Sequence, residues 1–97
     1  MKKTHTEAVD QLFDAILSLR NREECYTFFE DICTPNELQS LSQRLDVGMK
    51  LLKKQTYQEI SKSTGASTVT ISRVNRLLSD DNEGIELIAK RLSEEKA

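Results

Sequence analysis

The sequence contains no tryptophan, one proline and three glycines, and only 5% of its residues are aromatic. Few breakers interrupt helices, and no stretch shows the apolar–polar alternation of a half-buried strand. Two cysteines, Cys25 and Cys33, are too few for a disulfide framework. They fall on one expected helix and its exit, and read as small buried hydrophobes rather than as a redox or metal pair. The single histidine, His5, has no partner near it, so neither catalysis nor metal ligation follows. No apolar run approaches the roughly 20 residues needed to span a bilayer. Lysines near Met1 are followed by no apolar stretch, so no secretory signal is read. The cytoplasm is the expected location, with no membrane partner. There is no nucleophile–base pair, no phosphate-cradling glycine loop and no cluster of metal ligands, which argues against an enzyme.

An excess of positive charge is also lacking. The formal net charge is −2 and the pI is about 5.4, which alone argues against a general nucleic-acid binder. The distribution reverses this locally. Between positions 50 and 76 stand six cations, Lys50, Lys53, Lys54, Lys62, Arg73 and Arg76, against Glu59 alone, a net of +5. Acidic residues gather elsewhere, at Glu23, Glu24, Glu30, Asp31, Asp80, Asp81, Glu83 and Glu86. One basic face on an acidic body suits phosphate contact. A merely solvated charge cluster is the alternative.

What is present is helix signature. Ninety-seven residues make one domain, 1–97. With 37% apolar and 31% charged residues, a helical chain would have much solvated surface and a thin core, which oligomerisation commonly completes. Thr6 caps a first helix with apolar residues Val9, Leu12, Phe13, Ile16, Leu17 and Leu19. Asn21 and Glu24 form a capping box before Cys25, Phe28, Phe29 and Ile32. Thr34-Pro35-Asn36-Glu37 is the clearest helix start, with cap, proline at the first position and glutamate at the third. The helix it opens should run to about Lys53. Its apolar positions are Leu38, Leu41, Leu45, Met49 and Leu52, with Val47 and Leu51 on its flanks. Asn82 or Asp81 should cap a last helix through Ile85, Ile88, Ala89 and Leu92.

The segment 55–78 reads as a helix-turn-helix, the unit that places a helix in the DNA major groove. Thr56 and Glu59 make a capping box, and Ile60 is the inward residue of a short first helix. Ser61 is small enough for close helix packing. Gly65 sits where the chain must turn with positive φ. Ser67 caps the second helix, whose buried stripe is Ile71, Val74 and Leu78. This leaves Ser67, Thr68, Val69, Ser72, Arg73 and Arg76 on the open face.

From Thr34 to Leu78 the chain resembles the Trp repressor family, and within it the YerC/YecD branch of Trp repressor-related proteins. The resemblance rests on Thr34-Pro35-Asn36-Glu37, Leu41, Arg44, Glu59, Gly65-Ala66 and Thr70-Ile71-Ser72-Arg73, in the family's order and spacing. It implies an all-α, six-helix Trp repressor-like fold with a helix-turn-helix at about 57–78, assembled as an intertwined homodimer. It places Thr68, Val69 and Ser72 at base-edge positions and Gln58 at a DNA-contacting position of the first helix. The namesake holds tryptophan between two arginines. Arg44 and Arg73 match these, and Thr34 and Thr70 match other pocket positions. The sequence departs at Val74, where the tryptophan-binding pattern has glycine, and at Leu77, where it has a small polar residue. Extra bulk and a lost polar partner both oppose binding. No tryptophan cofactor is therefore expected, and any small-molecule effector is unidentified.

The expected function is a sequence-specific DNA-binding transcriptional regulator, a repressor, that grips a near-palindromic operator as a homodimer. Its partner is double-stranded DNA. Thr68 and Ser72 offer hydroxyls and Val69 offers methyls to base edges, while Gln58 and Lys62 suit phosphates. Arg73 and Arg76 suit phosphates or bases, although Arg73 also has Glu59 as an ion-pair candidate. The alternative function is a protein–protein interaction module that uses the same scaffold without specific DNA binding.

Overall fold

The computed structural model describes residues 3–80 and 82–96, with the backbone alone at Lys96. Among the described residues there are six helices and no strand. They are α1 (Glu7–Leu17), α2 (Arg22–Ile32), α3 (Pro35–Leu52), α4 (Tyr57–Thr64), α5 (Thr68–Ser79) and α6 (Gly84–Lys96). The chain forms two compact units that meet within α3, one up to Leu38 and one from Gln39 onward.

In the first unit the helix starts follow local chemistry. Thr6 is the α1 cap, its hydroxyl accepting from the Val9 N–H at 3.2 Å. Asn21 caps α2, its Oδ1 accepting from the Glu24 N–H at 2.9 Å. The return half of that expected box is displaced. The Glu24 carboxylate accepts from Arg20 N, at 2.8 Å, rather than from Asn21 N. Asn21 is fully extended (φ −156°, ψ 174°), so the amide facing the carboxylate belongs to the residue before it. Thr34 and Glu37 form the complete box at the start of α3, with bonds of 2.8 and 3.1 Å.

No side chain of α1 or α2 is buried. The apolar stripe of α1 exists, but Leu12 and Phe13 are exposed and Leu17 is 82% exposed. Two eleven-residue helices have too little surface to enclose a core between them. Phe28 and Phe29 are half-buried and meet edge-to-face at 5.3 Å.

The second unit has a small core of Val47, Ile60, Ala66, Ile71 and Val74, with Leu51, Tyr57 and Ile85 packed against it. The buried face of α3 is thus the one bearing Val47 and Gly48. On the main apolar stripe Leu41 and Leu45 are exposed in the single chain, while Val47 from its flank is buried. At 100° per residue Leu45 and Val47 lie on nearly opposite sides of α3, and the core of the second unit takes the Val47 side. Gly48 matters to that contact. A Cβ at this position would come within 2.3 Å of the Ile85 side chain, so the missing side chain admits α6 against α3.

The helix ends in this unit are individually closed. Lys54 adopts φ 64° after α3. Its N–H donates to Leu51 O at 3.0 Å while Gln55 N donates to Lys50 O at 3.2 Å, a Schellman closure. Thr56 and Glu59 complete the expected capping box of α4. Gly65 ends α4 in the left-handed region (φ 75°, ψ 3°), its N–H bonded to Ser61 O. Thr64 supports this turn. Its hydroxyl donates to Ile60 O at 2.6 Å and accepts from Ala66 N at 3.1 Å, which carries Ala66 into the core. Ser67 then caps α5, accepting from Thr70 N at 3.2 Å. Asn82 does not cap α6. Its side-chain amide donates to Leu77 O at 2.7 Å and closes the end of α5 instead, on a carbonyl that also accepts from Asp80 N at 3.3 Å. The other expected cap, Asp81, lies outside the described residues.

Candidate nucleic-acid interface

The face of α5 opposite its buried Ile71 and Val74 is determined by helical spacing. Ser67 and Thr70 fix where the helix begins, Ile71 and Val74 fix its rotation, and the remaining residues are turned to solvent. There Thr68, Val69, Ser72, Arg73 and Arg76 line one open cleft of about 420 Å³, together with Tyr57 from the first turn of α4. Five of the eight residues expected to contact DNA are therefore brought together. Gln58, Lys62 and Ser67 are exposed but do not line this cleft. Ser67 is committed to its cap, and its hydroxyl also donates to Thr70 Oγ1 at 3.2 Å.

The electrostatics of this surface follow from its pairings. Among the described residues the one salt bridge joins Lys50 to Asp46, one helical turn apart on α3. Arg73 and Arg76 carry no such partner. The expected competitor for Arg73, Glu59, is occupied, because its carboxylate accepts from Thr56 N at 2.9 Å. That backbone bond first, and the Thr56 hydroxyl second, hold the Glu59 carboxyl below its ordinary range. The Thr34 N–H and hydroxyl do the same to Glu37.

A second, smaller cleft of about 240 Å³ lies between α3 and α5, lined by Ser40, Gln43, Arg44, Thr70, Arg73, Val74 and Leu77. Three of the four effector-pocket candidates, Arg44, Thr70 and Arg73, meet here. Thr34 lies in the other compact unit, where it caps α3. Val74 is turned into the core and Leu77 is 57% exposed. The lining holds two guanidiniums and no carboxylate. Arg73 belongs to both clefts.

Sequence reasoning missed Ser40 and Gln43. Ser40 stands one turn before Arg44, a spacing that shares a face. Gln43 gave no local signal, because its side-chain amide donates across the fold to Thr64 O at 3.3 Å. Tyr57 also lines the α5 cleft. Its place on the cleft depends on how α4 lies against α5. Among the described residues no group of three or more His, Cys, Asp or Glu side chains is placed to hold a metal ion. No helix there is long and apolar enough to cross a membrane.

Six helices without a strand among the described residues, with the short α4 and α5 joined at Gly65, define an all-α protein. Comparison with known proteins narrows this class. A family profile described as Trp repressor protein matches residues 7–93. The chain belongs to the Trp repressor family. It is 51% identical over 92 residues to the uncharacterised protein YerC of Bacillus subtilis (strain 168), covering 95% of this chain and 88% of that protein. A TrpR-like protein from Eubacterium eligens ATCC 27750 superposes with a TM-score of 0.89 at 54% identity, over 94% of each chain. A solved structure from Staphylococcus aureus gives a TM-score of 0.90 at 49% identity, over 96% of each chain.

Proposed function

We propose that this chain is a sequence-specific DNA-binding transcriptional regulator, a repressor, that binds a near-palindromic operator as an intertwined homodimer. The observation that carries this reading is the cleft of α5, where exposed hydroxyls, two arginines and an apolar side chain share one solvent-facing surface. Membership of a family of regulators rather than enzymes supports it. In this reading α4, the Gly65 turn and α5 act as a helix-turn-helix, with α5 entering the major groove. Thr68, Val69 and Ser72 face base edges. Gln58, Lys62, Arg73 and Arg76 sit where phosphates pass, with the two arginines also in reach of bases, while Ser67 sets the start of α5 through its cap. The cytoplasm is the place of action.

Tryptophan is not the effector in this reading. The cleft between Arg44 and Arg73 offers no carboxylate to an ammonium group, and Leu77 presents carbon where a polar partner is needed.

The test is selection of bound fragments from the organism's own genomic DNA at physiological salt. The expected result is a recurring palindrome with half-sites about 34 Å apart, one turn of DNA. Arg73→Ala with Arg76→Ala should weaken binding at least about tenfold and flatten its salt dependence, as lost phosphate contacts do. Absence of any enriched fragment would defeat the regulator reading and favour the interaction module.

A further inference from the structure

We infer that Val69 reads the 5-methyl group of a thymine, one in each half-site, and so sets the sequence preference of the operator. The inference rests on the DNA-binding reading above. It starts from an anomaly in the α5 cleft. Val69 is 57% exposed in the first turn of α5, although a β-branched residue is a poorer helix former than alanine. It contributes nothing to the core, which Ile71 and Val74 supply from the other side of the helix. Isolated surface hydrophobes are ordinary. What distinguishes Val69 is its setting: it is the one aliphatic side chain in a cleft whose other residues all carry a hydrogen-bonding or charged group.

The chemistry of the neighbours narrows what Val69 meets. Arg73 and Arg76 are cationic and, among the described residues, without a carboxylate partner, so they draw the phosphate backbone alongside. Thr68 and Ser72 have short hydroxyls that do not discriminate strongly between base edges. The neighbouring hydroxyl of Ser67 is engaged by Thr70, so it adds no free donor to the groove. Among the standard bases, the sole apolar group exposed in the major groove is the thymine methyl. An exposed pair of valine methyls at the N-terminal turn of α5 is its chemical complement.

The experiment uses the full-length protein and the palindrome recovered from genomic selection. Each thymine of one half-site is replaced in turn by deoxyuridine, which removes the methyl and leaves base pairing intact. One position should weaken binding about fourfold, the factor for burying one methyl. Replacement in both half-sites should weaken it about fifteenfold, the square of that factor. In Val69→Ala, which substitutes a better helix former at an exposed site, palindrome affinity should fall by about the same fourfold per half-site, and the thymine-to-deoxyuridine difference at that position should vanish. Specific binding with no methyl-sensitive position overturns the inference and leaves the regulator reading intact. So does a methyl effect that is unchanged in Val69→Ala. Failure to recover any palindrome removes the regulator reading and this inference together.

Discussion

Lys54 is the residue whose backbone is least suited to its side chain. It occupies the left-handed region at φ 64° to close α3, a place where glycine is usual. The Cβ makes that conformation about 1 kcal/mol less favourable than it is for glycine. Lys54→Gly is therefore expected to stabilise the protein by about 1 kcal/mol, seen as a rise in Tm of about 4–8 °C. A fall in Tm would mean that the lysine side chain itself contributes more than the strain it imposes. Gly65 shows the converse. It has open space where a Cβ would lie, so conformation and not crowding selects glycine there. This distinction was half legible in the sequence. Gly65 announced its turn, whereas Lys54 gave no sign, because the left-handed residue after α3 is set by where Thr56 begins the next helix.

At the scale of elements, the helix starts carry a pH dependence. Glu37 and Glu59 are exposed, and the backbone amides of Thr34 and Thr56 hold both carboxyls below their ordinary value of 4.5. A carboxyl depressed in the folded state binds its proton more readily in the unfolded chain. It thus contributes stability above the unfolded value, and that contribution is lost as pH falls through the folded one. Thermal melts of the protein and of Glu37→Gln/Glu59→Gln should differ at neutral pH, with the native protein higher. The gap should close on acidification below about 4.5. A gap independent of pH would show that the charge is irrelevant and that side-chain shape alone makes the cap. These two starts were fully readable because a capping box is local, four residues long and independent of tertiary contacts. The Asn21 box was readable only in part, and Asn82 was assigned to the wrong helix. In both cases a neighbouring amide or carbonyl competed for the same group, and spacing alone does not decide such a competition.

At the scale of the molecule, the exposed apolar residues are the dominant fact. Leu17 and Ile32 in the first unit, Leu41 and Leu45 on α3, and Leu87 and Leu92 on α6 are all exposed, while among the described residues five are buried as a hydrophobic core, all in the second unit. An 11.1 kDa chain in this condition has unfinished burial. The proposed homodimer completes it. Light scattering at micromolar concentration is expected to give twice the 11.1 kDa chain mass, and a mass of one chain would exclude the shared core. The sequence revealed that these positions are apolar and helical. It did not reveal which stripe of α3 the single chain would bury, because α3 carries apolar residues around much of its circumference and only the packing of α4, α5 and α6 chooses between them. The cleft on α5 was legible for the same reason that α3 was not: Ile71 and Val74 leave no doubt about which side of α5 is inward.

The position of Arg73 has a thermodynamic consequence. One guanidinium borders both the outer cleft with Val69 and the inner cleft with Arg44. Whatever molecules enter these two spaces compete for, or cooperate through, the orientation of a single side chain. Linkage makes such an effect reciprocal: an occupant of the inner cleft that changes affinity at the outer one has its own affinity changed by the same factor.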